Sequence, residues 1–145
     1  MSTHVIEPPS LGNSFLEDTA LQEILERHVF GPNLLPNEQA KDQIKNDLAS
    51  FGDKVTSTIW KVSDLAERHE PQLFQYDAWQ NRIDHIELHP AWRQLNDISA
   101  TEGIIALGYE RDKLGTKGLH RLVQFSKLYL FDPSSSVFTC PLGTF

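Results

Sequence analysis

Apolar residues at helical spacing, more than any single motif, constrain what this chain can fold into. They recur every three or four residues through three successive stretches, and each stretch follows a residue type that commonly caps a helix. The predicted caps are Asp18, Asn37 and Asp53, and the predicted ends are Gly31-Pro32, Gly52 and the residue before Pro71. The inward positions are Leu21, Ile24, Leu25, His28 and Val29, then Ile44, Leu48 and Phe51, then Val55, Ile59, Val62 and Ala66. These stretches predict three amphipathic helices and an all-α fold.

Two more helices are predicted in the second half of the chain. Pro90 is a residue favoured at the first helical position, and the helix that it begins ends near Gly103 or Gly108. Its inward positions are Ala91, Trp92, Leu95, Ile98, Ile104 and Ile105. The last helix covers about residues 117–131. After it, "DPSSS" predicts a loop and "VFTCPLGTF" predicts the start of a strand.

Two segments depart from helical spacing. Residues 1–17 form a predicted extended N-terminal arm, because prolines and a glycine interrupt regular structure there. The apolar anchors expected for this arm are Leu11, Phe15 and Leu16. In "PQLFQYDAWQNRIDHIELHP", turn residues at Gln80-Asn81 separate two short runs that predict an irregular hairpin.

Composition and charge limit the classes of function. The 145 residues fit one domain, and hydrophobic and charged contents of 39% and 23% are typical of a globular chain rather than a disordered one. A net charge of −7 argues against a general affinity for nucleic acid or anionic membranes. The sequence shows neither a readable targeting peptide nor a membrane-spanning run, and its single Cys140 cannot form an intrachain disulfide. A cytoplasmic location is therefore predicted.

The segment "DHIELHPAW" raises the question of a metal site. His85 and His89 would share one face of a helix, but Pro90 disfavours helical backbone at the residue before it. In an extended segment His85, Glu87 and His89 lie on one side and offer two or three ligands. Their order is not the His-Glu-x-x-His of metalloproteases. We predict no stoichiometric transition metal, and a structural role such as capping the helix that Pro90 begins.

Other patterns that carry chemistry are missing or weak. The sequence contains neither a glycine-rich dinucleotide or phosphate loop nor a Gly-x-Ser-x-Gly motif, and Cys140 has no local signature of a nucleophile. A basic cluster is the strongest nucleic-acid candidate, although the net charge favours a solvated face. Its members are Arg111, Lys113, Lys117, Arg121 and Lys127.

The last helix is apolar around nearly its whole circumference. Its apolar positions are Leu119, Leu122, Val123, Phe125, Leu128, Tyr129, Leu130 and Phe131, and its narrow polar stripe is His120, Arg121, Gln124 and Lys127. Such a helix needs burial on nearly all sides, and about four other helices leave one flank uncovered. We therefore predict that a missing layer or a second copy covers this flank, with Phe125, Leu128, Tyr129 and Phe131 at risk of exposure.

The segment "QYDAWQNRIDHIELHPAWRQL" resembles the AidB-type, adaptive-response branch of the acyl-CoA dehydrogenase family. That branch carries Tyr-Asp, Arg-x-Asp and His-Pro-x-Trp/Tyr in this register, and the matching residues are Tyr76, Asp77, Arg82, Asp84, His89, Pro90 and Trp92. The segments "EPPSLGNSFLEDTAL", "YERDK" and "CPLGTF" also follow the order of the family. One departure is Gln80, at a turn position where the family tends to have Gly. The resemblance spans nearly the whole chain.

The resemblance implies a helical N-terminal domain at residues 18–136, with residues 137–145 as the start of a middle β-domain that is missing. In that family FAD oxidises an acyl-CoA at Cα–Cβ, and the middle and C-terminal domains supply most of the flavin site and the region of the catalytic base. The signature residues are therefore expected to be structural, and we predict no catalytic, cofactor-binding or metal-binding residue in this chain.

Two further hypotheses stand beside a truncated chain or short isoform of such a dehydrogenase. One is a free-standing helical module that binds a partner protein through the exposed apolar flank. The other, weaker one is nucleic-acid association, suggested by the name of the branch and by the basic cluster.

Overall fold

Six α-helices and one β-hairpin make up the described part of the chain, which confirms the predicted helical fold class. The computed structural model describes residues 6, 9–32, 34–35, 37–109, 119–135 and 138–143. The helices are α1 (Thr19–His28), α2 (Glu38–Lys54), α3 (Trp60–Arg68), α4 (Pro90–Thr101), α5 (His120–Ser135) and α6 (Thr139–Gly143). A π-helical turn, Val55–Ile59, joins α2 to α3, and a 3₁₀ turn, Ala106–Gly108, follows α4. The hairpin strands are β1 (Gln72–Tyr76) and β2 (Arg82–Glu87).

Side-chain caps fix the starts of three helices. A carboxylate oxygen of Asp18 accepts a hydrogen bond from the backbone N–H of Leu21 at 2.8 Å, and Asn37 accepts one from Ala40 at 2.8 Å. Each bond satisfies an amide that has no partner within its own helix. At α4 the cap is His89. The predicted starts of these three helices are confirmed.

The predicted break at Gly52-Asp53 is wrong, because α2 continues through the π-helical turn into α3. Gly52 instead lets the N-terminal arm approach the helix closely. A Cβ at this position would lie 2.4 Å from Asn13 Oδ1 and 2.7 Å from the backbone nitrogen of Phe15. The Asn13 side chain also donates to the carbonyl of Ala49 at 2.7 Å. The glycine therefore serves a tertiary contact rather than a helix end.

The end of the chain also differs from the prediction. Helix α5 continues through "DPSS", where a loop was expected, and α6 lies within the segment where a strand was expected. The Ser135 and Thr139 hydroxyls are hydrogen-bonded at 2.6 Å, which links the two helices. Phe138 and Leu142 lie in the core, at 8% exposure each. Burial of these two side chains favours the helix α6 over an unpaired strand.

A single apolar cluster joins the helices. Aromatic rings extend across it from Phe51 on α2 through Phe131 on α5 and Phe138 to Trp92 on α4, with successive centroids 6.3–6.5 Å apart. Of the expected arm anchors, Phe15 is 4% exposed, whereas Leu11 and Leu16 are largely exposed and do not anchor the arm. Ile24, predicted to face inward on α1, is 54% exposed.

Candidate functional site

The hairpin carries four of the seven signature residues. Asp77, in its turn, accepts hydrogen bonds from the backbone N–H groups of Trp79 and Asn81, both at 2.8 Å, and from the Asn81 side chain at 2.9 Å. These donors, led by the Asn81 side chain, lower the pKa of Asp77 below its ordinary value. Gln80 lies within the turn at φ 66°, which explains why glycine suits that position.

A β-bulge interrupts the pairing of the two strands and changes the direction of the second strand. β1 and β2 are antiparallel, with Phe74 opposite His85 and Tyr76 opposite Arg82, so β2 contains one extra residue between these pairs. Asp84 lies in that interval at φ 43°, and its carboxylate pairs with Arg82 Nε at 2.7 Å. Asp77, Arg82 and Asp84 thus shape the turn and the bulge, whereas Tyr76 is an exposed partner in the ladder.

The other three signature residues join the hairpin to the helices. His89 Nδ1 accepts from the backbone N–H of Ala91 at 3.2 Å, and Pro90 occupies the first position of α4. The His89 ring stacks on His69, at the end of α3, with centroids 4.3 Å apart. The Trp92 indole N–H lies 3.2 Å from the carbonyls of both Ala66 and His69. The motif therefore ties α4 to α3. Sequence analysis missed His69, since nothing in the local pattern distinguishes it.

This geometry bears on the metal question. His89 uses Nδ1 as a helix cap, and His85 lies within β2 opposite Phe74. Among the described residues, there is no group of three His, Cys, Asp or Glu side chains placed to hold a metal ion. The predicted capping role of His89 is confirmed, and the absence of a stoichiometric metal stays a prediction.

The hairpin is exposed along both strands. All the residues of β1 and β2 lie at the surface, including Leu73, Phe74, Ile83 and Ile86 at 41–59% exposure. Leu73 and Ile86 face each other across the ladder. A two-stranded hairpin is only marginally stable in water by itself, so the caps and ties described above are needed to hold its shape.

Part of the polar stripe predicted for α5 faces the interior of the domain. Lys127 Nζ is 2.9 Å from Asp47 and 3.7 Å from Glu102, and the Lys127 side chain is only 4% exposed. Gln124 is also buried. The prediction that Lys127 belongs to a solvated basic cluster is therefore wrong. Arg121 lies at the surface, over the ring of Tyr109, and Arg111, Lys113 and Lys117 lie outside the described residues.

The outer side of α5 presents apolar side chains. Leu122, Phe125 and Tyr129 are 38%, 58% and 55% exposed, and their spacing places them on one helix face. Of the residues predicted to be at risk, Phe131 is fully buried and Leu128 is partly buried. The Tyr129 hydroxyl donates to the Asp18 carboxylate at 2.8 Å, and this bond raises the pKa of Tyr129 above its ordinary value. We call Leu122, Phe125 and Tyr129 the α5 flank.

Comparison with known proteins explains why these features occur together. The model of the family described as "Adaptive response protein AidB N-terminal domain" matches residues 7–144, which include the entire signature. The chain belongs to the AidB N-terminal domain family. The predicted resemblance is confirmed, and the hairpin, its Asp77 turn and the His89–Trp92 junction are parts of an AidB N-terminal domain.

Two curated relatives are several times longer than this AidB N-terminal domain. The chain is 35% identical to acyl-CoA dehydrogenase family member 11 of Caenorhabditis elegans, over 93% of its own length and 20% of the relative. It is 30% identical to the putative acyl-CoA dehydrogenase AidB of Escherichia coli K12, over 85% of its length and 22% of the relative. The chain therefore spans about a fifth of the length of the curated relatives that it matches.

Solved structures show the same fold within longer chains. The structure of C. elegans ACDH-11 in complex with C11-CoA matches with a TM-score of 0.82 and 33% identity, covering 98% of this chain and 23% of the other. The apo form of Bd2924 matches with a TM-score of 0.81 and 32% identity, covering 97% of this chain and 26% of the other. Within its described residues, this AidB N-terminal domain has no helix both long and apolar enough to cross a bilayer.

Proposed function

We propose that this chain is the helical N-terminal domain of an AidB-like acyl-CoA dehydrogenase flavoprotein and is not catalytic by itself. The observation that carries the proposal is the family match over residues 7–144, combined with relatives about five times as long. In the complete enzyme, FAD would accept hydride as an acyl-CoA is oxidised at Cα–Cβ. The domain would form one wall of the acyl pocket and help to assemble the oligomer.

The α5 flank supports an architectural role. Three large side chains stay partly in contact with water there, and completing the burial of each is worth roughly half of the ~1.5–3 kcal/mol that full burial of such a side chain contributes. A folded domain becomes more stable when another layer of protein covers such an apolar face. In the proposed enzyme that layer is the middle or C-terminal domain, and in the isolated chain it is a second copy. In this proposal residues 1–17 are the N-terminal arm and residues 18–136 are the helical domain. Residues 137–145 would then lead into the middle domain.

Three of the described helices offer FAD no open amide group at their starts, which supports this proposal. A flavin dinucleotide commonly places its pyrophosphate on open backbone amides at a helix start. In α1, α2 and α4 that position is already filled by Asp18, Asn37 and His89. We therefore assign the flavin site and the catalytic base to regions outside this chain. As a separate part of the proposal, the protein is cytoplasmic.

Binding and size measurements on the isolated chain test this proposal. We expect dialysis against FAD to leave the protein without flavin absorbance, and light scattering at micromolar concentration to detect self-association. Leu122→Ser with Phe125→Ser should restore the monomer. Trp60→Ser with Leu65→Ser is the matched control, because those exposed residues lie on α3. A flavin-loaded preparation would refute the assignment of the flavin site. A cooperatively folded wild-type monomer would refute the claim that another layer of protein must cover the α5 flank.

The α5 flank also favours a second candidate, a helical module that binds a partner protein. The two candidates differ in what covers Phe125: a domain of the same enzyme or a separate protein. Nucleic-acid association loses support, because Lys127, one member of the proposed basic cluster, is buried in an ion pair with Asp47.

A further inference from the structure

Three cavities that share lining residues form a groove beside Trp92, and no residue of the α5 flank lines any of them. One cavity, of about 410 Å³, is lined by Ala66, Glu67, Glu70, Pro71 and Trp92. The second, of about 440 Å³, also uses Trp92 and includes Leu88 and Phe138. The third, of about 570 Å³, shares Glu67, Glu70 and Pro71 with the first and Leu88 with the second. We call the combined depression the Trp92 groove.

The part of the groove that Trp92 lines is mainly apolar and held in place. The indole N–H of Trp92 is fixed by the carbonyls of Ala66 and His69, and its ring makes an edge contact with Phe138 at 6.3 Å. Because Trp92 is only half-buried, part of the ring remains open to the groove. Leu88 extends this surface toward the hairpin. A fixed aromatic surface of this kind suits a flat or aliphatic group.

The rim of the groove is acidic. Glu67, Glu70, Glu87 and Asp97 line it and lie at the surface, and none of them forms an ion pair with another described residue. The lining also contains two arginines, of which Arg68 is paired with Asp64 at 2.8 Å, so that only Arg93 offsets the four carboxylates. The groove therefore repels anions and attracts cations.

We propose that the Trp92 groove binds a basic, apolar segment of a partner protein. An arginine or lysine of that segment stacks on the exposed face of Trp92 and pairs with Glu67 or Glu70, and its apolar neighbours contact Leu88 and Phe138. This site goes beyond the proposed dehydrogenase function. Coenzyme A carries several phosphate charges, so the acidic rim disfavours it.

A synthetic peptide of alternating leucine and arginine provides the probe, and the intact chain carrying Trp60→Phe and Trp79→Phe provides the reporter. Both replaced tryptophans are exposed, so Trp92 becomes the sole source of indole fluorescence. We expect a saturable change in Trp92 emission at low salt. Glu67→Gln with Glu70→Gln should weaken binding by about tenfold, as should raising the salt concentration.

The matched control is Asp42→Asn with Asp53→Asn, which removes the same charge from exposed positions outside the groove lining. It should leave the affinity within about twofold, because these carboxylates do not line the groove. Equal weakening by both double variants, or equal binding of a leucine–glutamate peptide, would overturn the proposal. So would dimerisation that is lost in Glu67→Gln with Glu70→Gln, since the occupant would then be a second copy. None of these outcomes depends on flavin or acyl-CoA.

Discussion

Lys127 on α5 and Asp47 on α2 form an ion pair of 2.9 Å, although the lysine side chain is only 4% exposed. The same ammonium group donates to the backbone carbonyl of Glu102 at 3.1 Å and lies over the ring of Phe51. Lys54 also pairs with Glu102. One buried cation thus fixes the position of α5 against α2 and the end of α4.

Removing this cation should destabilise the domain. We expect Lys127→Ala to lower the free energy of unfolding by about 2–3 kcal/mol, because the carboxylates that face Lys127 lose their buried partner. Lys61→Ala, at an exposed position of α3, should change it by less than about 0.5 kcal/mol. Urea denaturation of both variants makes the comparison. Similar small changes in the two would show that the pair does not hold α5.

Gly52 provides a test of the contact between the arm and α2. Alanine normally favours a helix interior over glycine by about 1 kcal/mol. Here we expect Gly52→Ala to cost about 1–3 kcal/mol instead, because the new methyl group would collide with Asn13 and Phe15. Ser50→Ala, two residues earlier in α2 and exposed, is the control. Limited proteolysis should cut the arm of Gly52→Ala sooner. A stabilised Gly52→Ala protein would contradict the packing described for the arm.

The bond between Tyr129 and Asp18 predicts a pH effect. The raised pKa of Tyr129 means that the bond stabilises the fold below the ordinary tyrosine pKa near 10.0 and stops doing so as pH rises through the folded value. Asp18→Asn keeps a capping oxygen for Leu21 but removes the charge. We expect the pKa of Tyr129, followed by NMR of its ring, to fall toward its ordinary value in this variant. An unchanged pKa would mean that Asp18 is not the cause.

Local signals made the helix starts predictable, whereas long-range contacts did not appear in the sequence pattern. Asp18, Asn37 and Pro90 mark helix starts through bonds or backbone angles within a few residues. Gly52 has the same local signature as a helix end, but its partner, Asn13, lies 39 positions earlier. Local spacing cannot report such a contact.

The candidate site also divides into features that local sequence predicts and features that depend on long-range contacts. The signature identified His89 as the cap and Trp92 as part of the junction, because the motif is contiguous in sequence. The stacking of His69 on His89 and the burial of Lys127 by Asp47 depend on how distant helices pack. The tail was predicted as a strand because β-branched and aromatic residues favour strands, but burial of Phe138 against Phe131 outweighs that preference.

The central claim is that this chain is one domain of an acyl-CoA dehydrogenase, and a chimera tests it most directly. The chain would replace the matched N-terminal fifth of C. elegans acyl-CoA dehydrogenase family member 11, with a deletion of that fifth as the control. We predict that the chimera purifies with flavin and binds C11-CoA, and that the deletion does neither. A folded chimera that lacks both, or a deletion that retains both, would contradict the claim.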